Sequence, residues 1–101
     1  MDFWNTLDEV IHFELPELAS AARLATLLRP AWPVSVSERN DDVIVAVLVD
    51  EATPDIGSLL RSVEDWVALE GLCAIRYDLD GRSYVMEAGE ADWELAPRAA
   101  A

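Results

Sequence analysis

Seven consecutive apolar residues, from Val43 to Val49, stand between Asp42 and Asp50. Most of them are β-branched, and such a run is typical of a strand that is covered on both of its faces. The helices of one small domain can leave the second face of the strand uncovered, and a second subunit is one source of a cover for it. The run therefore predicts a sheet with a helical layer and favours a homodimer.

A first β-hairpin is predicted around this strand. Residues 34–37 alternate between valine and serine with period two, the pattern of a strand with one wet face. Asn40 and Asp41 tolerate the left-handed backbone of a tight turn. A two-residue turn at this point pairs Arg39 with Asp42, Val36 with Val45, and Val34 with Val47.

A second hairpin is predicted from strands at 72–79 and 82–88. The dipeptide Asp80-Gly81 lies between them, and a type I′ turn needs residues that accept positive φ at both central positions. This register pairs Tyr77 with Tyr84 and Ile75 with Met86 on one face, and it places Arg76 opposite Val85 on the other. Asp78, Asp80 and Glu87 also match part of a calcium loop, but Arg76 would take its first ligand position, so the hairpin is favoured.

A helix is predicted between the hairpins. Thr53 serves as its N-cap, Pro54 takes the first helical position, and Gly71 lies just past its end. Six apolar residues form its buried stripe: Ile56, Leu59, Leu60, Val63, Trp66 and Val67. Three acidic residues are expected on its outer side: Glu64, Asp65 and Glu70.

The amino-terminal region is predicted to be largely helical. Thr6 and Glu9 have the spacing of a capping box, which would place Leu7, Val10 and Ile11 on one face. Pro16 starts a second helix at 16–29, with an apolar stripe of Leu18, Ala21, Ala22, Ala25 and Leu28. Residues 9–15 stay ambiguous, because Ile11, Phe13 and Leu15 also alternate as in a strand.

The expected fold is an α+β two-layer sandwich. A four-stranded antiparallel sheet comes from the two hairpins, and the element order is α(α)-β-β-α-β-β. This order resembles a circular permutation of the ferredoxin-like arrangement and that of some small acidic secretion chaperones, a likeness of architecture alone. We expect residues 1–90 to form a single domain and residues 91–101 to form an acidic, flexible tail.

The charge of the chain limits what it can bind. Twenty acidic residues face seven arginines, for a formal net charge of −13, and that field repels the phosphates of nucleic acids. Hydrophobic residues nevertheless make up 52% of the chain, which indicates a folded domain. Cys73 is the single cysteine, so an internal disulfide is excluded, which suits a reducing compartment. The amino terminus lacks a signal-peptide pattern, and no apolar run is long enough to span a bilayer. We therefore expect a cytoplasmic protein that does not bind a membrane.

No catalytic or cofactor-binding pattern is present in the sequence. His12 is the single histidine, and the residues near it in sequence do not complete a metal site or a nucleophilic triad. A histidine without a catalytic or metal-binding role is therefore favoured. Cys73 has apolar neighbours, which favour a small core residue over a reactive thiol. Paired acids such as Asp50 and Glu51 are expected to be solvated.

Aromatic residues near the ends of predicted elements are the candidate interaction residues. Trp4, Trp32 and Trp93 are either docking anchors or caps on the core. We expect a non-enzymatic, adaptor or chaperone-like module that binds a basic or amphipathic protein segment. One alternative is a small-ligand-binding or sensing domain using Arg76, Tyr77 and Tyr84. The others are an enzyme using carboxylates and a divalent ion, and an acidic face that mimics DNA.

Overall fold

The structure is a computed structural model that describes residues 9–87. Two helices lie against an open antiparallel sheet, which confirms the predicted α+β class. The elements in chain order are β1 (Glu9–Leu15), α1 (Leu18–Leu28), β2 (Val34–Arg39), β3 (Asp42–Val49), α2 (Ile56–Glu70), β4 (Ala74–Leu79) and β5 (Arg82–Glu87). The predicted tail at 91–101 and the proposed cap at Thr6 lie outside these residues.

The sheet has five strands in the order β2-β3-β1-β4-β5, so the predicted four-stranded sheet and its element order are wrong. The additional strand is β1, which lies between the two hairpins and pairs antiparallel with β3 and with β4. Val10 and Ile11 therefore point to opposite faces instead of sharing one face of a helix. The alternation of Ile11, Phe13 and Leu15 prevails because all three are buried in the core.

Both predicted hairpins form, with the registers expected from their turns. Val36 lies opposite Val45 in the first, and Tyr77 lies opposite Tyr84 in the second. Asp80 and Gly81 have φ values of 56° and 77°, which is the left-handed pair that a type I′ turn needs. Asn40 in the first turn has a φ of 56°. Local turn chemistry therefore determines the pairing within each hairpin.

The two helices begin later than the sequence predicts. The helix expected at 16–29 runs from Leu18 to Leu28, and Leu18 and Ala22 from its predicted stripe are exposed. The second helix is capped by Asp55 rather than Thr53, because the Asp55 carboxylate accepts a hydrogen bond from the backbone N–H of Ser58 at 2.9 Å. The Thr53 hydroxyl instead donates to the carbonyl of Asp50 at 3.0 Å and closes the preceding turn.

The other end of α2 and its buried stripe follow the prediction more closely. Gly71 ends the helix with a φ of 79°, in the left-handed region that favours glycine. Leu59, Val63, Trp66 and Val67 are buried, and Ile56 and Leu60 are partly buried against the core. Glu64 was expected on the outer side, but its side chain is only 6% exposed. No helix within residues 9–87 has both the length and the apolar content needed to cross a membrane.

Both helices lie on the same face of the sheet. The buried side of the sheet is formed by alternate residues that match across the strands, such as Phe13, Val45 and Tyr77. The opposite face carries Ile44, which is buried, and Val10, which is exposed. The valine-rich strand β3 is thus fully buried on its helical side, and on its other side only Ile44 is buried, while Ala46 and Leu48 are partly exposed.

Candidate interaction groove between the helices

α1 and α2 lie side by side and are joined by an ion pair. The guanidinium of Arg23 in α1 donates from Nε to Glu70 Oε2 at 2.9 Å and from Nη2 to Oε1 at 2.8 Å. These hydrogen bonds lower the pKa of Glu70 and raise the pKa of Arg23. Two parallel bonds to one carboxylate fix the orientation of both side chains, and the pair links the surfaces of α1 and α2.

An apolar groove of about 420 Å³ lies between the two helices. Its first wall is formed by the end of α1 and the residues that follow: Leu27, Leu28, Ala31 and Trp32. Its second wall is formed by one side of α2: Ser62, Asp65, Trp66 and Leu69. Two of the three leucines on its walls are accessible, since Leu69 is 86% exposed and Leu27 is 50% exposed. The groove therefore presents apolar surface to solvent.

Trp32 is the only candidate from the sequence that lies in this groove among residues 9–87. Its indole Nε1–H donates to the carbonyl of Pro54 at 3.2 Å, and the ring is 6% exposed. The side chain therefore anchors the end of α1 to the turn before α2, and its edge contributes to the groove wall. Trp4 and Trp93, the other two candidate anchors, lie outside the described residues.

Leu27 and Leu69 are not among the candidate residues predicted from the sequence. Neither residue belongs to the apolar stripe that packs on the sheet, which contains Leu24 and Leu28 in α1 and Val67 in α2. An apolar residue outside the buried stripe of an amphipathic helix is the signal that could have identified them. Only the relative position of the two helices shows that both leucines border the same groove.

Arg76, Tyr77 and Tyr84 do not converge on one site. Tyr77 and Tyr84 stack on the helical side of the sheet with ring centroids 5.3 Å apart, and the Tyr77 ring lies 5.7 Å from that of Phe13. Arg76 lies on the opposite face, between Glu14 of β1 and Val85 of β5. A ligand on either face therefore meets only part of the predicted set.

His12, Asp78 and Ser83 lie in one row across the face that the helices leave uncovered. His12 is opposite Asp78, and Asp78 is opposite Ser83. The Ser83 hydroxyl donates to the Asp78 carboxylate at 2.6 Å. A nucleophilic triad needs the imidazole between the hydroxyl and the carboxylate, whereas here the carboxylate occupies the middle position. The arrangement therefore differs from that of a nucleophilic triad, and the hydrogen bond in it joins Ser83 to Asp78.

Cys73 and the remaining acids are arranged differently from a reactive or metal-binding centre. Cys73 was predicted to be a core residue, but β4 begins one residue later and the thiol is exposed. Within residues 9–87, no three His, Cys, Asp or Glu side chains are grouped so that they could hold a metal ion. The calcium-loop acids Asp78 and Asp80 instead belong to β4 and to the turn that follows it.

No protein-family model, curated protein or solved structure matches this chain. Its function is therefore inferred from the groove, the charge of the chain and the chemistry of their residues.

Proposed function

We propose that this protein is a non-enzymatic, acidic interaction module, of adaptor or chaperone-like type, that binds a basic or amphipathic protein segment. The observation that carries the proposal is the groove between α1 and α2, with its exposed Leu27 and Leu69. Single exposed leucines are common on protein surfaces. Two leucines on facing walls of one groove form a contiguous apolar surface of the kind that marks an interaction site. The two tryptophans beside them belong to a residue type that is enriched among the anchors of protein interfaces.

The tryptophans make the groove a suitable place for an anchor residue. Trp32 and Trp66 are each 6% exposed, so their rings are held by the core and do not have to be ordered when a partner binds. Ordering a side chain at an interface costs about 0.5–1.5 kcal/mol, and a prearranged wall avoids that cost. The free energy that an apolar side chain gains by leaving water is therefore not reduced by the cost of ordering these rings.

The charge of the chain indicates the kind of partner. A net charge of −13 attracts basic segments over a distance of about one Debye length and repels acidic ones. Apolar contact in the groove then supplies the short-range part of the affinity. The predicted homodimer stays a prediction alongside this function.

The proposal is tested with a fluorescent synthetic peptide of leucine and lysine in a helical amphipathic pattern, measured by anisotropy. The control is a peptide with glutamate in place of lysine. We expect binding of the basic peptide alone, and weaker binding when the ionic strength rises from about 0.01 M to about 1 M, where the Debye length falls from about 30 Å to about 3 Å. Equal binding of the two peptides, or no binding of the basic one, would contradict the proposed function.

A further inference from the structure

This inference rests on the proposed function and specifies the form of the partner. We propose that the groove binds a single basic amphipathic α-helix from another protein, which lies along the seam between α1 and α2. The bound helix packs against the exposed sides of both helices, beside Leu27 and Leu69. It thereby becomes the third helix of the layer that covers the sheet.

The spacing of the groove residues is that of a helix-packing surface. Ser62, Asp65, Trp66 and Leu69 recur along α2 at intervals of three and four residues, so they form one continuous stripe. This stripe borders the core-facing one and shares Trp66 with it. Side-chain rows with this spacing form the ridges between which the side chains of another helix insert. On the other wall, Leu27 lies in the last turn of α1, and Ala31 lies in the turn that follows it.

The backbone around the groove favours a helix over an extended segment. The N–H groups of Ala31 and Trp32 already donate to the carbonyl of Leu28, both at 3.0 Å, and the backbone of α2 is hydrogen-bonded within the helix. An extended peptide would find no sheet edge here to pair with its own N–H and C=O groups. A helix satisfies these groups internally and offers only side chains.

The size of the groove limits how much of the partner enters it. Its volume of about 420 Å³ is within the range of pockets that hold small ligands, about 300–1,000 Å³. The apolar side chains from about two helical turns, and not a whole helix, fit into such a space. The partner therefore needs a short motif with apolar residues at positions i, i+3, i+4 and i+7.

Charge complementarity identifies the occupant as a basic segment of another protein. Asp65 lies in the groove wall and no ion pair of its side chain is seen within the part of the chain described, whereas Arg23 is already bound to Glu70. Residues 1–8 of this chain contain two acids and no base, and residues 88–101 contain three acids and one arginine. A second copy carries the same charge of −13. As occupants of the groove, the chain's own ends and a second copy are therefore disfavoured by like charge, and a lysine- or arginine-rich helix is favoured.

The test uses the full chain, the same leucine–lysine peptide, and substitutions in exposed leucines. Leu27→Ala combined with Leu69→Ala removes both accessible leucines of the groove. Leu18→Ala is the matched control, because Leu18 is 53% exposed, lies on the same helix as Leu27 and does not line the groove. Urea unfolding of each variant checks that the fold is retained, as expected for exposed positions.

We expect the double variant to bind the peptide at least about tenfold more weakly, and Leu18→Ala to bind it as the unchanged protein does. The peptide should gain helical circular dichroism on binding, and a version with a central proline should bind at least about tenfold more weakly. Asp65→Asn should weaken binding at low ionic strength only.

Each contrary outcome has a distinct meaning. Unchanged affinity of the double variant would overturn the groove as the site while leaving the proposed function in place. Equal binding of the proline-containing peptide would overturn the helical form of the partner. A dimer of the unchanged protein that is lost in the double variant would make a second copy the occupant. Failure of the basic peptide to bind at all would contradict the proposed function itself.

Discussion

Phe13 in the central strand gives the sharpest test of the fold. Its side chain is fully buried, and its ring lies 5.7 Å from that of Tyr77 on the neighbouring strand. Phe13→Ala removes this ring from the middle of the core, and such a substitution costs about 3–5 kcal/mol. Val10→Ala is the control in the same strand, since Val10 is 44% exposed on the opposite face and its substitution should cost about 0.5 kcal/mol or less.

Urea unfolding, followed by tryptophan fluorescence, measures both effects. With a slope of roughly 1.5 kcal/mol per molar urea, a loss of 3 kcal/mol lowers the midpoint by about 2 M. The midpoint of Val10→Ala should move by about 0.3 M or less on the same basis. A helical segment at 9–15 would bury Val10, so equal losses in the two variants, or a loss below about 1 kcal/mol for Phe13→Ala, would refute β1 as the central strand.

Three further predictions concern glycine, pH and salt. Gly81→Ala should destabilise the protein by about 1 kcal/mol or more, because φ at this position is 77°. Gly57 lies inside α2, and a Cβ added there has its nearest contact at 3.6 Å, so Gly57→Ala should stabilise the protein by about 0.5–1 kcal/mol. Urea midpoints of the two variants that move in the same direction would contradict this prediction. The hydrogen bond from the Ser58 N–H lowers the pKa of Asp55, so this cap stabilises the fold above the usual pKa of the carboxyl group and is lost as pH falls through the lowered value. Asp55→Ala should therefore lower the melting temperature at neutral pH by more than it does in acid, and a gap that is independent of pH would show that the cap is not ionised. Added salt should raise the melting temperature, because it screens self-repulsion at a net charge of −13, and a melting temperature indifferent to salt would count against this repulsion.

The hairpins could be predicted because their information is local. Asp80-Gly81 specifies the turn within two residues, and the turn then sets every pair along the ribbon, including Tyr77 with Tyr84. Gly71 marks the end of α2 in the same way. Where several local signals agree, as in α2, the predicted bounds of the helix are wrong at the first turn alone, because Asp55 provides a better cap than Thr53.

The central strand could not be predicted with the same means. Residues 9–15 carry both a helical pattern through Val10 and Ile11 and a strand pattern through Phe13 and Leu15. The choice between them is made by β3 and β4, which lie far away in the sequence. The groove is similarly non-local, since Leu27 and Leu69 border one site only when α1 and α2 pack side by side on the core.

The position of β1 between the hairpins has a consequence for synthesis on the ribosome. This strand is made before the others, yet His12 has its partner Asp78 66 residues later in the chain. From the moment β3 has joined it until β4 emerges, the other edge of β1 displays a row of N–H and C=O groups without partners, a template for other chains. A chain released before Ala74 keeps that edge bare, so prematurely terminated products should aggregate even though the finished protein is strongly acidic.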